Sequence, residues 1–464
     1  MIEFKNIEGL YFVGIGGIGM SALALYFAKG GYKIAGYDRS ESGITRSLIE
    51  NGCAVTYNDE LSILPDLFRN VSHKNRVIIV YTPAIPAENK ILAFFRSSGY
   101  MIYKRSEILG EISLNTDTLA VAGTHGKTTV STMIAHLLKQ SHIDCSAFLG
   151  GISKNYDSNL LLGNSRYTVM EADEFDRSFH RLNPLMAVVT SLDADHLDIY
   201  GDQGTMIKAY NEFCEKIRQG GKLIVNSRIR KEIVVPEGVS CYTYGLDKNA
   251  DFLSSGIKRY KDYYSFNIKT PSTNIDDLHF AFPGIINIEN FTAAIAVALM
   301  CGVTEQEIRK AVLLFQGVRR RFDIRINIPG LAYIDDYGHH PEEIRACITC
   351  IKEFFTGRKI TGIFQPHLFS RTRDHADGFA KILDELDEAI LLPIYPAREK
   401  PIEGVTSELI YNKMRSGKKR LVAKEDIPGK LDTSELDVLL TIGAGDIDTL
   451  VGPIEKKLKR ERIK

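Results

Sequence analysis

The sequence lacks net charge, a cysteine framework and any internal repeat. Lysine plus arginine and aspartate plus glutamate number 58 each among 464 residues, so no net field attracts a polyanion and we expect no nucleic-acid partner. The seven cysteines are few, odd in number and scattered, which favours a reducing compartment, with the cytoplasm as the expected location. Because long polar linkers are also missing, the domains are expected to meet across short hinges.

An uncharged, mostly apolar run near the N terminus is the one candidate for a targeting segment or a membrane span. It covers residues 10–28, and the acidic residues Glu3 and Glu8 precede it where a secretory signal needs positive charge. Four glycines interrupt the run. These features predict a buried strand, a tight turn and a buried helix, with no membrane insertion.

The length and the alternation of elements predict three α/β domains. The chain is about three times the usual length of roughly 150 residues for one domain. Three series of alternating β-rich and helical segments indicate parallel sheets built from βαβ units. We expect a Rossmann-like domain at residues 1–108, a central phosphate-loop domain with antiparallel edge strands at 109–321, and a Rossmann-like domain at 322–464. The predicted helices cover residues 18–29, 44–51, 88–96, 127–139, 288–301, 305–315 and 376–386, with one more beginning at Pro341.

A glycine-rich turn follows the first predicted strand and opens a helix. It consists of Gly14, Ile15, Gly16, Gly17, Ile18 and Gly19. With Asp38 at the end of the next strand, the pattern matches the dinucleotide fingerprint, in which backbone N–H groups hold a pyrophosphate and the acid reaches a ribose hydroxyl. The turn predicts either an NAD-dependent dehydrogenase or a UDP-sugar site, since both ligands carry pyrophosphate and ribose. Tight strand–helix packing alone is the structural alternative.

A second glycine-rich loop is typical of triphosphate binding. It consists of Gly123, Thr124, His125, Gly126, Lys127, Thr128 and Thr129. The loop offers backbone N–H groups, a lysine for the phosphates and a hydroxyl for Mg²⁺, although Val121 stands where the first Walker A glycine would fall. A hydride-transfer enzyme has no use for such a loop, so it favours an ATP site over a dehydrogenase. The structural alternative is a glycine turn with an exposed lysine.

Acidic residues follow two neighbouring predicted strands. Glu171, Asp173 and Glu174 come after the strand at 167–170, and Asp193 to His196 come after the next one. The carboxyl ends of parallel strands are where ligands collect, and carboxylate oxygens are ligands that Mg²⁺ prefers. The acids are therefore candidate metal ligands, with solvated or capping roles as the alternative.

Two polar segments of the third domain also end predicted strands. The first segment runs from Asp335 to Pro341 and contains a histidine pair, which either binds a metal ion or has a structural role. The second segment runs from Gln365 to Arg373. The cations and hydroxyls of the second segment favour anion recognition, with surface ion pairing as the alternative.

The order and spacing of these segments over nearly the full length resemble the Mur ligase family. The segments are Gly16–Ser21, Gly123–Thr129, Glu171–Glu174, His196, Phe315–Phe322, Asp335–Pro341, Gln365–Arg373, Tyr395–Gly404 and Gly443–Ile447. The resemblance implies an ATP- and Mg²⁺-dependent ligase that joins L-alanine to the carboxylate of UDP-N-acetylmuramate through an acyl phosphate, in peptidoglycan precursor synthesis. A relative that attaches a whole murein tripeptide to the same sugar nucleotide is the nearest alternative, and a monomer or weak homodimer is expected.

The resemblance also implies a role for each site residue. The catalytic set is Lys127, Glu171, His196 and Arg371, and the magnesium ligands are Thr128, Glu171 and His196. ATP would lie on the loop Gly123 to Thr129 with Asn287, Asn290, Arg320 and Asp336, and the UDP-sugar on Gly14, Gly16, Gly17, Ile18, Gly19 and Asp38. The amino-acid side would be Tyr337, His339, His340, His367 and Arg373. One departure is that Ile285 and Ile286 stand where the family pattern predicts a polar or basic residue and a histidine.

Overall fold

The computed structural model describes residues 2, 4–86, 88–193, 200–261, 263–397 and 399–462, without the side chain of Asp176. These residues contain three sheets, which confirms the predicted α/β architecture. The chain forms two compact units. The N-terminal unit comprises Met1–Ala281 and Ile288–Gln316, and the C-terminal unit comprises Phe282–Asn287 and Gly317–Lys464.

The first sheet has five parallel strands in the order β3-β2-β1-β4-β5. The strands are β1 Gly9–Val13, β2 Lys33–Tyr37, β3 Ala54–Thr56, β4 Val77–Tyr81 and β5 Met101–Lys104. The helices are α1 Ile18–Lys29, α2 Gly43–Glu50, α3 Asp66–Arg69, α4 Lys90–Ser97 and α5 Arg105–Leu114. Helix α1 has the predicted bounds, so the apolar run near the N terminus is a strand, a turn and a helix. Helix α5 was not predicted and runs through residue 108, and the domain limits remain predictions.

The second sheet has ten strands in the order β15-β14-β13-β12-β11-β10-β6-β9-β7-β8. The strands are β6 Asp117–Ala122, β7 Ser146–Ser153, β8 Ser158–Leu161, β9 Tyr167–Glu171, β10 Met186–Val189, β11 Lys222–Asn226, β12 Ser240–Gly245, β13 Phe252–Arg259, β14 Tyr264–Lys269 and β15 Asn274–Phe280. The antiparallel strands β13 to β15 form the edge that the sequence predicted. The opposite edge carries an antiparallel β7–β8 pair that the sequence did not predict. Among the described residues, the helices that accompany these strands are α6 Lys127–Lys139, α7 Gln203–Cys214, α8 Ile285–Met300 and α9 Glu305–Leu314.

The third sheet has six strands in the order β16-β17-β21-β18-β19-β20. The strands are β16 Asp323–Ile328, β17 Leu331–Asp336, β18 Ile360–Phe364, β19 Glu388–Leu391, β20 Lys419–Leu421 and β21 Val438–Ile442. The helices are α10 Pro341–Phe354, α11 Phe369–Leu383, α12 Ser407–Lys413, α13 Ile427–Lys430 and α14 Asp448–Arg462. Strand β16 is an unpredicted antiparallel edge. Short 3₁₀ helices occupy Phe4–Asn6, Leu61–Ile63, Val71–Arg76, Phe175–Arg181, Ser227–Ile229 and Lys424–Asp426.

The first two sheets share one apolar core within the N-terminal unit. The rings of Tyr26 in α1 and Phe148 in β7 lie 5.3 Å apart. Buried Asn159 of β8 donates its side-chain amide to the Ile18 carbonyl over 2.6 Å and to the Ser21 hydroxyl over 3.1 Å. The helix that follows the first glycine turn is therefore hydrogen-bonded to an edge of the second sheet. Within the described ranges, no helix is both long and apolar enough to span a membrane.

Candidate active site

The phosphate loop joins β6 to α6 and depends on two glycines in the left-handed region. Gly123 has φ +135° and Gly126 has φ +84°, and α6 begins directly afterwards at Lys127. A Cβ on Gly123 would lie 2.0 Å from Thr190 Oγ1, so no side chain fits there. The glycines let the backbone turn sharply into the helix, whose free N–H groups suit an anion.

Two hydroxyl residues that the sequence analysis missed brace this loop from the end of β10. Thr190 Oγ1 donates to the carbonyls of Ala122, at 3.2 Å, and of His125. Ser191 Oγ accepts from the His125 N–H over 2.8 Å, and the Thr124 N–H donates to the Ser191 carbonyl over 3.1 Å. Their position after a strand of the parallel sheet was the available indication. The brace fixes the loop before any nucleotide arrives.

Lys127 is held over the loop by a buried carboxylate. Its Nζ donates to the carbonyls of Gly123 at 2.6 Å and Thr124 at 3.2 Å and to Glu174 Oε1 at 2.8 Å. The side chains are 14% and 2% exposed for Lys127 and Glu174. Burial is the largest influence and lowers the pKa of Lys127, but the charges of Glu174, Glu171 and Asp173 and the hydrogen bond to Glu174 together outweigh it and raise the pKa above its ordinary value. The ammonium therefore stays charged, and Glu174, which the sequence offered as a candidate metal ligand, is the ion-pair partner of Lys127.

Glu171 has the chemistry of a magnesium ligand. Its Oε2 is buried and has no hydrogen-bond partner in the part of the chain that the structure describes. Gly150 of β7 makes room for this carboxylate, because a Cβ there would lie 2.2 Å from Glu171 Oε2. Thr128 is buried in the first turn of α6, and His196 lies outside the described residues.

The metal ligands available beside the phosphate loop suit Mg²⁺ better than a metal ion that is coordinated by protein side chains alone. Among the described residues, no group of three histidine, cysteine, aspartate or glutamate side chains could hold a metal ion. Mg²⁺ is usually bound through one or two carboxylates together with substrate phosphates and water. A single unpartnered carboxylate oxygen beside a phosphate loop suits that mode of binding.

The glycine turn of the first sheet is anchored by Asp38. The N–H groups of Gly14 and Ile15 both donate to the Tyr37 carbonyl, at 2.7 and 3.0 Å. Asp38 Oδ2 accepts from the Gly16 N–H over 2.7 Å, and its Oδ1 accepts from the neighbouring backbone N–H of Arg39 over 2.8 Å. Asp38 therefore shapes the turn, while its contact with a ribose stays a prediction. Gly17 precedes α1, so the turn ends at a helix N-terminus as predicted.

Asp335 and Asp336 end β17 in the C-terminal unit and organise the segment around them. Asp336 accepts backbone N–H bonds from Phe322 and Gly338, both at 2.7 Å, and burial raises its pKa to about 6. Arg320 donates to the Gly443 carbonyl, and its Nε lies 3.4 Å from Asp335 Oδ2. The arrangement gives Arg320 and Asp336 clear structural roles, and their contacts with ATP remain predictions.

Aromatic rings cluster at the carboxyl ends of β17 and β18. The His339 ring lies 5.3 Å from that of Tyr337 and 6.0 Å from that of His367, and His367 stacks on Tyr395 at 5.9 Å. His340 instead caps α10, where its Nδ1 accepts from the Glu342 N–H over 3.3 Å. The structure thus brings Tyr337, His339 and His367 together and gives His340 a capping role.

The two predicted arginines lie near the start of α11, which begins at Phe369 rather than near 376. The predicted start of this helix was wrong because its first turns are mostly polar, so the helical spacing of apolar residues is not visible there. Arg371 is half-buried and Arg373 is exposed, with its Nε 2.8 Å from Asp374 Oδ1. Both stand at the carboxyl edge of the sheet.

Helix α8 carries the predicted asparagines. Asn290 lies against the phosphate loop, since its Oδ1 is 3.2 Å from where a Cβ on Gly126 would be. Asn287 donates its amide to the Pro283 carbonyl over 2.6 Å and so closes the turn before the helix. Ile285 and Ile286 are 38% and 42% exposed, so neither is needed for the core.

Three family models match successive parts of the chain. They describe the Mur ligase family catalytic domain at residues 9–116, the Mur ligase middle domain at 121–298 and the Mur ligase glutamate ligase domain at 320–445. The chain belongs to the Mur ligase family. The glycine turn of the first sheet is thus part of a ligase rather than of a dehydrogenase.

Named relatives and solved structures of other Mur ligases match the chain from end to end. The UDP-N-acetylmuramate--L-alanine ligase of Parabacteroides distasonis is 45% identical over 461 residues, 99% of both chains. That of Porphyromonas gingivalis is 47% identical over 456 residues, 98% of this chain and 99% of the relative. The crystal structure of UDP-N-acetylmuramate-alanine ligase MurC from Thermotoga maritima has a TM-score of 0.81 at 26% identity, over 97% of this chain and 98% of the other. A murein peptide ligase from Psychrobacter arcticus, at 20% identity and a TM-score of 0.70 over 97% and 98% of the two chains, shares the fold.

Within the N-terminal unit of this Mur ligase, the structure gathers one part of the predicted site. Lys127, the loop glycines and Asn290 lie together, and the charge of Glu171 acts on Lys127. The residues of the predicted amino-acid side belong to the C-terminal unit.

Proposed function

We propose that this Mur ligase uses ATP to join L-alanine to the carboxylate of UDP-N-acetylmuramate, a cytoplasmic step in making peptidoglycan precursors. The observation that carries the proposal is the braced, charged lysine of a phosphate loop in a chain 45% identical, over its whole length, to a relative named UDP-N-acetylmuramate--L-alanine ligase. The glycine turn in the same compact unit supplies a second place for a pyrophosphate.

The reaction has two steps. A carboxylate oxygen of the sugar nucleotide attacks the γ-phosphorus of ATP, the bond to the ADP oxygen breaks, and an acyl phosphate forms. The uncharged amine of L-alanine then attacks the acyl carbon, phosphate leaves with the bridging oxygen, and the nitrogen loses a proton. The first step develops negative charge on the transferred group, which fixed positive groups stabilise.

The residues of the N-terminal unit would serve the first step. The loop N–H groups would bind the phosphates of ATP, and Lys127 would sit beside the transferred group, held there by Glu174. Thr128 and Glu171 would hold Mg²⁺, with His196 as a further ligand. When bound, that ion would neutralise charge on the phosphate oxygens.

The other substrates would bind on the first sheet of the N-terminal unit and on the C-terminal unit. The turn Gly14 to Gly19 would hold the diphosphate of the sugar nucleotide. L-Alanine and the released phosphate would meet Arg371, Arg373 and the aromatic cluster of Tyr337, His339 and His367. His340 would support that cluster from the start of α10.

An isotope experiment tests the two-step chemistry. UDP-N-acetylmuramate labelled with ¹⁸O in both carboxylate oxygens should transfer one label to the phosphate released when ATP, Mg²⁺ and L-alanine are present. Omission of ATP should abolish both phosphate release and amide formation. Amide product with unlabelled phosphate would reject the acyl phosphate.

A further inference from the structure

Arg105 is a positively charged residue that has no role in the function proposed above. It is the first residue of α5, and its guanidinium lies against the first turn of α1. A Cβ on Gly19 would lie 2.6 Å from Arg105 Nη1 and 3.2 Å from its Cζ. Gly19, the last glycine of the turn, therefore leaves room for the Arg105 guanidinium in this position.

The same guanidinium reaches the acidic segment after β9. Its Nη2 donates to Asp173 Oδ2 over 3.1 Å, and the side chain is 22% exposed. Arg105, Asp173 and Glu171 line one small cavity. Arg105 thus spans the distance from the diphosphate turn to the carboxylates beside the phosphate loop, all within the N-terminal unit.

An anion beside Arg105 would stabilise its placement. Arg105 lies in the first turn of α5 and against the first turn of α1, and the N-terminal end of a helix disfavours positive charge. Asp173 compensates in part, and its bond uses one of the five donors of a guanidinium. The planar fork of the guanidinium suits two phosphate oxygens at once.

We propose that Arg105 binds the diphosphate of the sugar nucleotide and thereby sets its position on the glycine turn. The proposal rests on the proposed function for the identity of this ligand. Contact with Gly19 puts the guanidinium at the turn that would hold the diphosphate, where Asp173 competes with the ligand for it.

Binding measurements on the full chain test this role. We expect Arg105→Gln to weaken UDP-N-acetylmuramate binding by about 10-fold or more, because charge-assisted hydrogen bonds to the ligand are lost. Affinity for a non-hydrolysable ATP analogue should not change, and Arg105→Lys should fall between the two. Arg181→Gln is the matched control, since it removes the same charge from an exposed pair with Glu107 and should not alter binding.

Asp173→Asn separates a ligand contact from a structural ion pair. A structural pair predicts that Asp173→Asn and Arg105→Gln weaken sugar-nucleotide binding equally, which would overturn the proposal. A ligand contact predicts that Asp173→Asn binds as tightly as the wild type or more tightly, because the guanidinium loses its competitor. Thermal unfolding of each variant shows whether it is folded during the titration.

A second ligand distinguishes the phosphate from the carboxylate of the substrate. UDP-N-acetylglucosamine carries the diphosphate but not the carboxylate, so Arg105→Gln should weaken it by the same factor. A loss confined to UDP-N-acetylmuramate would contradict the diphosphate contact. Wild-type binding of both nucleotides without any ligation would reject the proposed function and leave the role of Arg105 standing. If the wild type ligates normally and Arg105→Gln binds the sugar nucleotide as tightly as the wild type, the role of Arg105 alone is rejected. If the wild type binds neither nucleotide, the proposed function and the role of Arg105 are both rejected.

Discussion

Replacement of Lys127 by alanine should abolish turnover and also lower stability, for two separable reasons. The ammonium lies 2.8 Å from Glu174 Oε1, and the Glu174 side chain is 2% exposed. Breaking a buried pair leaves a desolvated charge, which costs on the order of 3 kcal/mol in free energy of unfolding. Loss of the positive charge at a transferring phosphoryl group should lower the rate by about 100-fold or more.

The double variant Lys127→Met with Glu174→Gln separates these effects. It removes both charges, so most of the lost stability should return in urea unfolding while phosphate release stays at least about 100-fold below the wild type. Affinity for UDP-N-acetylmuramate, measured by calorimetry, should survive in every variant, because the glycine turn belongs to a different sheet. Recovery of turnover in the double variant would refute a catalytic role for Lys127.

Four further variants test other parts of the structure. Gly123→Ala should abolish binding of an ATP analogue in calorimetry, since its Cβ would lie 2.0 Å from Thr190 Oγ1. Asn159→Leu should lower the urea-unfolding free energy by about 1–3 kcal/mol, because it removes two side-chain hydrogen bonds to α1. Ile286→His should raise the preference for ATP over GTP in KM measurements, since an apolar wall discriminates weakly; an unchanged preference would make the substitution irrelevant. The folded-state pKa of Asp336 is raised from 3.8 to about 6, so between these pH values the folded chain keeps a proton that the unfolded chain releases. The contribution of Asp336 to the free energy of unfolding therefore falls as the pH rises from about 4 to 6. Asp336→Asn should remove this part of the pH dependence in urea unfolding.

Elements with strong local patterns were predictable from the sequence. Helices α1 and α6 have the predicted bounds because an apolar stripe follows a glycine turn in each case, and α10 begins at Pro341 as predicted. Helix α5 was missed because Gly110 interrupts its pattern. A Cβ on Gly110 would lie 2.8 Å from the Arg181 carbonyl, so tertiary packing decides that residue.

The phosphate loop was predictable because its glycines and lysine are contiguous in sequence. Its supports were not, because they come from distant strands: Thr190 follows β10, and Glu174 follows β9. Arg105 was likewise missed, since only the folded chain brings it to Gly19. The sequence therefore predicted contiguous motifs better than the residues that folding brings to those motifs.

The most direct test of the proposed function is product formation with defined substrates. The purified chain is incubated with ATP, Mg²⁺ and UDP-N-acetylmuramate, either with each of a panel of single amino acids or with L-Ala-D-Glu-diaminopimelate, and products are identified by mass spectrometry alongside released phosphate. We predict one phosphate per amide formed, with L-alanine as the preferred amine and little product from the tripeptide. Preference for the tripeptide, or ATP binding without phosphate release for any amine, would contradict the assignment.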